Sequence, residues 1–233
     1  DATGAAVFGG QNRLDIRITD PVGNFSWPAH VTFPWGKYRI PAVRGFGGIT
    51  GDILLRALDA VAINDIYVQN RPEITEARVF VTLENTTERS VEGSLELIVH
   101  EEGNPEAVLW RGTVKDTIPS RGKVIEFTVK APKARRWDIY QPNLYTAAAA
   151  FQSADGSMRD SAGQRFGFRW FDMAMKNGDM RLYQNGKRIF IRGCKNRTFW
   201  PVNGMYASPE WARKDIDLVK RLGYNTLNVT NAI

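Results

Sequence analysis

The chain has 233 residues, enough for one or two average domains and for a sizeable apolar core. Hydrophobic residues make up 43% of it, with seven Trp and twelve Phe, which excludes a disordered tail, a collagen-like repeat and a coiled coil. The net charge of +6 is spread along the chain, and basic pairs such as Arg135-Arg136 and Lys220-Arg221 lie far apart. A solvated surface is therefore favoured over a phosphate-binding stripe, and no nucleic-acid partner is expected.

A single cysteine, Cys194, cannot form an intramolecular disulfide, and the two histidines, His30 and His100, stand far from it in sequence. A zinc or Cys-His site is not expected, nor is any cofactor. Apolar runs such as Tyr145 to Phe151 fall well short of the roughly 18 residues that cross a bilayer, so no membrane partner is expected either. The first residues, Asp1 to Ala6, have neither the basic start nor the apolar centre of a signal peptide. A periplasmic or secreted location for a longer precursor is left open. Asn-x-Ser/Thr sequons stand at Asn24, Asn85, Asn196 and Asn228 and matter only in a source that glycosylates.

Leu14, Ile16 and Ile18 alternate with polar residues, the period of two expected of a strand with one buried face. A loop rich in aromatics, Gly and Pro follows from Pro21 to Gly51, and a further β segment is expected in the apolar run Ile53 to Leu58. From Asp65 to about Trp170 short strands alternate with turn signals. They run through Ala77–Leu83, Val91–Val99, Val108–Ile118, Lys123–Lys130, Leu144–Gln152 and Gln164–Phe171. That spacing predicts an immunoglobulin-like β-sandwich, although the Cys pair of antibody domains is missing.

After Asp172 the pattern changes. Asn185-Gly186 between β-prone arms predicts a type I′ hairpin, and its second arm, Ile189-Phe190-Ile191, reads as a buried strand. Ser208-Pro209-Glu210 supplies an N-cap, a Pro at the first helical position and an acid in the first turn. Ala212, Ile216 and Val219 share a helical face and Gly223 stands at the end, so a helix is expected over 209–222. Asn225 to Val229 reads as a strand. The order strand, helix, strand is the start of a parallel α/β array, and two parallel strands cannot cover both their faces. The pattern therefore reads as a piece of something longer, with self-association through the uncovered layer as its expected consequence.

Chemistry is sparse. Gly45-Phe46-Gly47-Gly48 lacks the Lys-Ser/Thr of a phosphate loop, and the adjacent Glu101 and Glu102 would face opposite ways on a strand. Cys194 reads as a small core residue. The segment Arg192 to Tyr206 is richer: it joins a strand to a helix and mixes amide, guanidinium and indole groups, which bind sugars by hydrogen bonding and ring stacking. In a (β/α)-barrel such a loop lies on the face where active sites are built; packing of Phe199, Trp200 and Tyr206 across the barrel mouth is an equal reading.

Several segments together resemble glycoside hydrolase family 2, the group of β-galactosidases, β-glucuronidases and β-mannosidases. They are Gly47-Gly48-Ile49-Thr50-Gly51-Asp52 with Asp65-Ile66-Tyr67-Val68-Gln69; Trp137 with Pro142-Asn143-Leu144-Tyr145; Arg165-Phe166-Gly167-Phe168-Arg169; and Leu182 to Gly193. The resemblance implies a mainly β chain in three parts. Residues 1–64 would be the C-terminal part of a jelly-roll sugar-binding-like domain, 65–170 an immunoglobulin-like sandwich, and 171–233 the first βαβ of a TIM barrel. It also implies an internal piece of a retaining β-glycosidase, acting through two carboxyl groups about 5 Å apart.

The family's catalytic glutamates lie on later barrel strands, so no residue of this chain carries over as catalytic and the chain alone is expected to be inactive. Asn228 stands where the family has an Arg, and Asn231, Ala232 and Ile233 stand where it has His, Tyr and Pro. The substrate-binding residues expected from the resemblance and the segment chemistry are Asn196, Arg197, Trp200, Asn228 and Asn231, with a carbohydrate as partner. The alternative is a non-catalytic carbohydrate-binding or scaffolding sandwich, which would need aromatics such as Trp27, Trp35 and Trp200 on one exposed face.

Overall fold

Strict alternation of apolar and polar residues builds the centre of the chain. The computed structural model describes residues 4–18, 33–35, 38–40, 49, 51–72, 75–196 and 208–229, and they are mainly β. Contacts divide the chain into two units, Asp1–Leu54 with Ile191–Ile233, and Leu55–Phe190.

In the first unit, the strand expected at Leu14 to Ile18 is not formed: residues 11–18 are irregular and Leu14 is 74% exposed. Alternation marks a face for burial, but a strand persists only when a neighbour takes up its N–H and C=O groups, and among the described residues none pairs with this one. The run Ile53 to Leu58 is likewise irregular, with Leu55 91% exposed. Within the stretch read as a loop, β1 (Phe33–Trp35) and β2 (Tyr38–Ile40) form an antiparallel pair with Trp35 opposite Tyr38. The Gly45-to-Gly48 segment lies outside the described residues.

The second unit is a seven-stranded sandwich. Its strands are β3 (Val61–Asn70), β4 (Glu76–Asn85), β5 (Val91–Glu101), β6 (Asn104–Ile118), β7 (Lys123–Lys130), β8 (Tyr145–Ser153) and β9 (Arg159–Phe166). One sheet has the order β3-β4-β7 and the other β6-β5-β8-β9, all antiparallel. The first strand starts earlier than Asp65, and the last lies N-terminal to the expected Gln164–Phe171. Val79, Val81 and Leu83 from one sheet and Leu95, Leu97, Val99, Ala147 and Phe151 from the other are almost completely buried in a single core. Each large aliphatic or aromatic side chain among them contributes about 1.5–3 kcal/mol relative to exposure.

In antibody constant domains the fourth strand lies beside the fifth. Here β6 stays with β5, because the tight Glu102-Gly103 turn, with Gly103 at φ 73°, zips the two together from Glu101↔Asn104 to Val91↔Ile118. The open edges of β3 and β9 are tied by carboxylates: the N–H of Ile63 donates to Asp160 Oδ2 at 2.7 Å, and that of Arg159 to Asp59 Oδ2 at 2.7 Å. This satisfies edge donors that would otherwise invite another strand.

Tyr145, first in β8 and 1% exposed, accepts a hydrogen bond from the Arg135 N–H at 2.7 Å and donates one to the Arg135 carbonyl at 3.0 Å. That is the tyrosine corner of immunoglobulin-like domains. The rings of Phe166 and Phe168 pack on it at 6.1 and 5.2 Å between centroids. Between them Gly167 lies so close to Trp137 that an added Cβ would come within 2.8 Å of the indole-bearing Cβ, and the Trp137 N–H donates to the Phe168 carbonyl at 3.0 Å. Trp137, Tyr145 and Phe166-Gly167-Phe168, separate motifs in sequence, are one packed knot in space.

The unit ends in a small antiparallel sheet, β10 (Phe171–Lys176), β11 (Asp179–Gln184) and β12 (Lys187–Arg188). The Asn185-Gly186 turn forms as expected, with both residues at positive φ, 50° and 76°. The apolar arm Ile189-Phe190-Ile191 is not a strand, and Phe190 and Ile191 are both more than 60% exposed. The first unit resumes with β13 (Gly193–Asn196), α1 (Pro209–Arg221) and β14 (Thr226–Val229). No helix among the described residues is long and apolar enough to cross a membrane.

Candidate substrate-facing strand ends

Two parallel strands need a crossover, and α1 supplies it. Its start is set by Ser208, whose side chain accepts a hydrogen bond from the Trp211 N–H at 3.3 Å, with Pro209 in the first turn. Glu210 and Lys214 pair at 2.8 Å one turn apart, and Gly223 at φ 81° turns the chain out of the helix. β14 then lies parallel to β13, in the register Gly193↔Thr226, Cys194↔Leu227, Lys195↔Asn228 and Asn196↔Val229. The expected strand–helix–strand order is thus present, with the first strand starting after the apolar arm rather than in it.

Asn225 fixes the N-terminal end of the pair. Its Oδ1 accepts the Arg192 N–H at 2.8 Å, and its own N–H and that of Thr226 donate to the Arg192 carbonyl at 2.9 and 3.3 Å. The sequence offered Asn225 only as the first residue of a strand; its role as a side-chain clip between the strands needs the pairing to be seen.

At the C-terminal ends, where parallel α/β sheets place their ligands, two of the five expected site residues, Asn196 and Asn228, lie on neighbouring strands one register position apart. Asn228 is exposed and directly opposite Lys195, which shares its face, while Asn196 stands opposite Val229. Lys195 was not among the expected site residues, although alternation of side chains along two parallel strands is the signal that finds it. Arg197, Trp200 and Asn231 lie outside the described residues, as does Trp27. The exposed amide and ammonium on one face form a set of hydrogen-bond donors suited to hydroxyl or carboxylate oxygens.

A general acid would need a carboxyl group pushed upward by burial or by a like charge. The described carboxylates that depart from their ordinary values all go the other way. Asp116 is lowered by hydrogen bonds from Lys123 and the Thr117 N–H, and Glu126 by its pair with Arg78. Glu210 is lowered by Lys214. Asp155 falls to about 2, held by the Ser153 hydroxyl and by the N–H and hydroxyl of Ser157. A hollow of about 610 Å³ on the outer face of the β6-β5-β8-β9 sheet brings Glu96 and Asp160 to one lining. Both are already engaged: Asp160 accepts from the Ile63 and Ser161 N–H groups, and Glu96 pairs with Arg111 at 3.5 Å. Among the described residues no group of His, Cys, Asp and Glu is arranged to hold a metal.

The comparisons with known proteins agree with this architecture. Residues 61–169 match the family described as Glycosyl hydrolases family 2. The chain is 27% identical over 190 residues to a Formosa agariphila protein provisionally named as a β-glucuronidase, covering 80% of this chain and 22% of that protein. It is 27% identical over 189 residues to a Priestia megaterium β-galactosidase, covering 79% and 18%. The chain therefore spans about a fifth of the length of these relatives. In fold it is similar to the GH2 β-galacturonidase from Eisenbergiella tayi, with a TM-score of 0.62 and 20% identity over 75% of this chain and 30% of that one. The match coincides with the seven-stranded sandwich and its tyrosine-corner knot, and it is in this region that the chain is similar to glycosyl hydrolases family 2.

Proposed function

We propose that this chain is a part of a retaining β-glycosidase that hydrolyses O-glycosidic bonds of carbohydrates, with its catalytic carboxylates outside residues 1–233. The observation that carries the reading is a family 2 sandwich followed in sequence by a parallel strand–helix–strand unit, β13-α1-β14. In this reading residues 1–64 belong to a jelly-roll domain, 65–170 are the scaffold sandwich, and 171–233 open the catalytic barrel.

The strand ends then line the sugar pocket. The amides of Asn196, Asn228 and Asn231 and the guanidinium of Arg197 hydrogen-bond hydroxyls, and Trp200 stacks on a ring face. Lys195, across from Asn228, adds a cationic donor on the same face. Hydrolysis with retention needs two carboxyl groups about 5 Å apart, one as nucleophile and one as acid then base. Relatives named for glucuronides and galactosides bracket the substrate class as β-linked hexosides or hexuronides.

The test is to assay the full-length protein and the chain 1–233 on aryl β-galactoside, β-glucuronide and β-mannoside, following product stereochemistry. The full-length protein should turn over one of them with retention, and 1–233 none. Turnover by 1–233, or no turnover of any β-glycoside by the full-length protein, overturns the reading.

A further inference from the structure

Two Asn-Gly turns of almost identical backbone stand in the β10-β11-β12 sheet. Asn177 and Gly178 have φ 54° and 80°, and Asn185 and Gly186 have φ 50° and 76°. Both join paired strands through two residues, Lys176↔Asp179 in one and Gln184↔Lys187 in the other. A Cβ added to either glycine would meet nothing within 4 Å, so neither glycine is packed against a neighbour on that side.

The turns part at the carboxamide. Asn185 is partly buried; its Nδ2 donates to the Trp137 carbonyl at 2.9 Å and its Oδ1 accepts the Trp170 N–H at 3.1 Å. Its own N–H donates to the Trp170 carbonyl at 3.0 Å, and Arg136 reaches its carbonyl at 3.4 Å while stacking on Trp170. Asn177 is exposed, and among the described residues its carboxamide has no partner.

An Asn-Gly pair carries its own reagent. The glycine nitrogen, once its proton is taken by solvent base, is a nucleophile one bond beyond the Asn carbonyl, and glycine has no side chain of its own to shield it. It attacks Cγ of the asparagine; the new N–Cγ bond closes a five-membered imide, the Cγ–Nδ2 bond breaks, and ammonia leaves with a proton from water. A second water then opens either imide carbonyl, giving aspartate or isoaspartate. No electrons are gained or lost, and solvent is the only co-reactant. The attack requires the carboxamide to rotate over the following nitrogen, which a free side chain can do and a doubly bonded one cannot.

We propose that Asn177-Gly178 is a site of spontaneous covalent modification, deamidating through this imide, and that Asn185-Gly186, the same dipeptide in the same turn, is protected by its bonds to Trp137 and Trp170. The consequence at Asn177 is local. A carboxylate appears beside Asp179, which Arg181 contacts at 3.4 Å, and an isoaspartyl residue lengthens a two-residue turn that has no slack between Lys176 and Asp179. Pairing of β10 with β11 should loosen from that end.

The two asparagines fall in separate tryptic peptides, 177–181 and 182–187, so both can be followed by mass spectrometry in one sample of the chain held at mildly alkaline pH. In the native chain Asn177 should convert about thirty-fold faster than Asn185, the factor set by breaking two neutral hydrogen bonds before attack. In denaturant the two rates should converge. Equal native rates, or faster conversion of Asn185, overturn the proposal. A preference for Asn177 that persists undiminished in denaturant overturns the assigned cause, the bonds to Trp137 and Trp170.

Discussion

The sandwich at 61–169 and the strand–helix–strand unit at 193–229 are built from equally regular sequence patterns, yet they use them differently. In the sandwich every second residue of β4 and β8, and Leu95, Leu97 and Val99 in β5, are fully or almost fully buried. In α1, with its apolar residues at helical spacing and sound caps, no residue is buried, and Trp211, Ile216 and Leu218 are each nearly half exposed. Periodicity reports which face an element offers; burial requires a second surface that fits it. The sandwich supplies that surface from its own strands, because an antiparallel sheet can be folded onto another with short turns. A parallel pair joined by one helix has two faces and only one local cover.

The largest expected consequence is in hydrogen exchange. Amides of β4, β5 and β8 should exchange only through global opening, whereas those of β13, α1 and β14 should exchange orders of magnitude faster, or gain protection as concentration rises through self-association. Slow, concentration-independent exchange in β13 and β14 of a monomer would show that the comparison is wrong.

Substitution should divide the regions in the same way. Leu97→Ala, in a wholly buried site, should destabilise the chain by about 2–5 kcal/mol in urea unfolding, while Ile216→Ala, at a position 45% exposed, should leave the main transition within about 0.5 kcal/mol. A smaller loss, about 1–3 kcal/mol, is expected from Tyr145→Phe, which keeps the ring among Phe166 and Phe168 but leaves the Arg135 N–H and carbonyl without the hydroxyl. A neutral result there would mean that the tyrosine corner is a packing site only.

The smallest effect is at the rim of the sandwich. Asp155 is held at about 2 rather than the ordinary 3.8 by Ser153 and Ser157, so its ionised form is favoured by folding. Its contribution is complete above the ordinary value and is lost as the pH falls through about 2. The pH dependence of unfolding should therefore lose a little of its slope in that window on Asp155→Asn, with no change near neutrality beyond the constant offset from removing the charge.

Much of the sandwich was legible because inward positions recur every second residue, as in Leu95, Leu97 and Val99, whatever the strands do next. Which sheet β6 joins was not legible, since its outward and inward residues would serve either neighbour; the tight turn at Gly103 decides it. The second Asn-Gly, Asn177-Gly178, carried the same turn signal as Asn185-Gly186, and β10 follows from it. At the strand ends, Asn228 could be picked out by type, but Lys195 becomes its neighbour only through the parallel register.

The sequence by itself determined the alternation of the sandwich strands, the helix with its caps and the order strand, helix, strand, because these depend on local spacing, turn chemistry and hydrogen bonds between near neighbours. Tertiary structure alone decided which alternating runs became strands. Leu14 to Ile18 and Ile53 to Leu58 have the pattern but no partner among the described residues, whereas β3 has β4 along its whole length. Tertiary structure also drew Trp137, Tyr145 and Gly167 into one knot and locked one Asn-Gly turn while leaving the other open. A strand's backbone groups and an asparagine's carboxamide are satisfied by whatever lies opposite them, and that partner is set by residues far away in the chain.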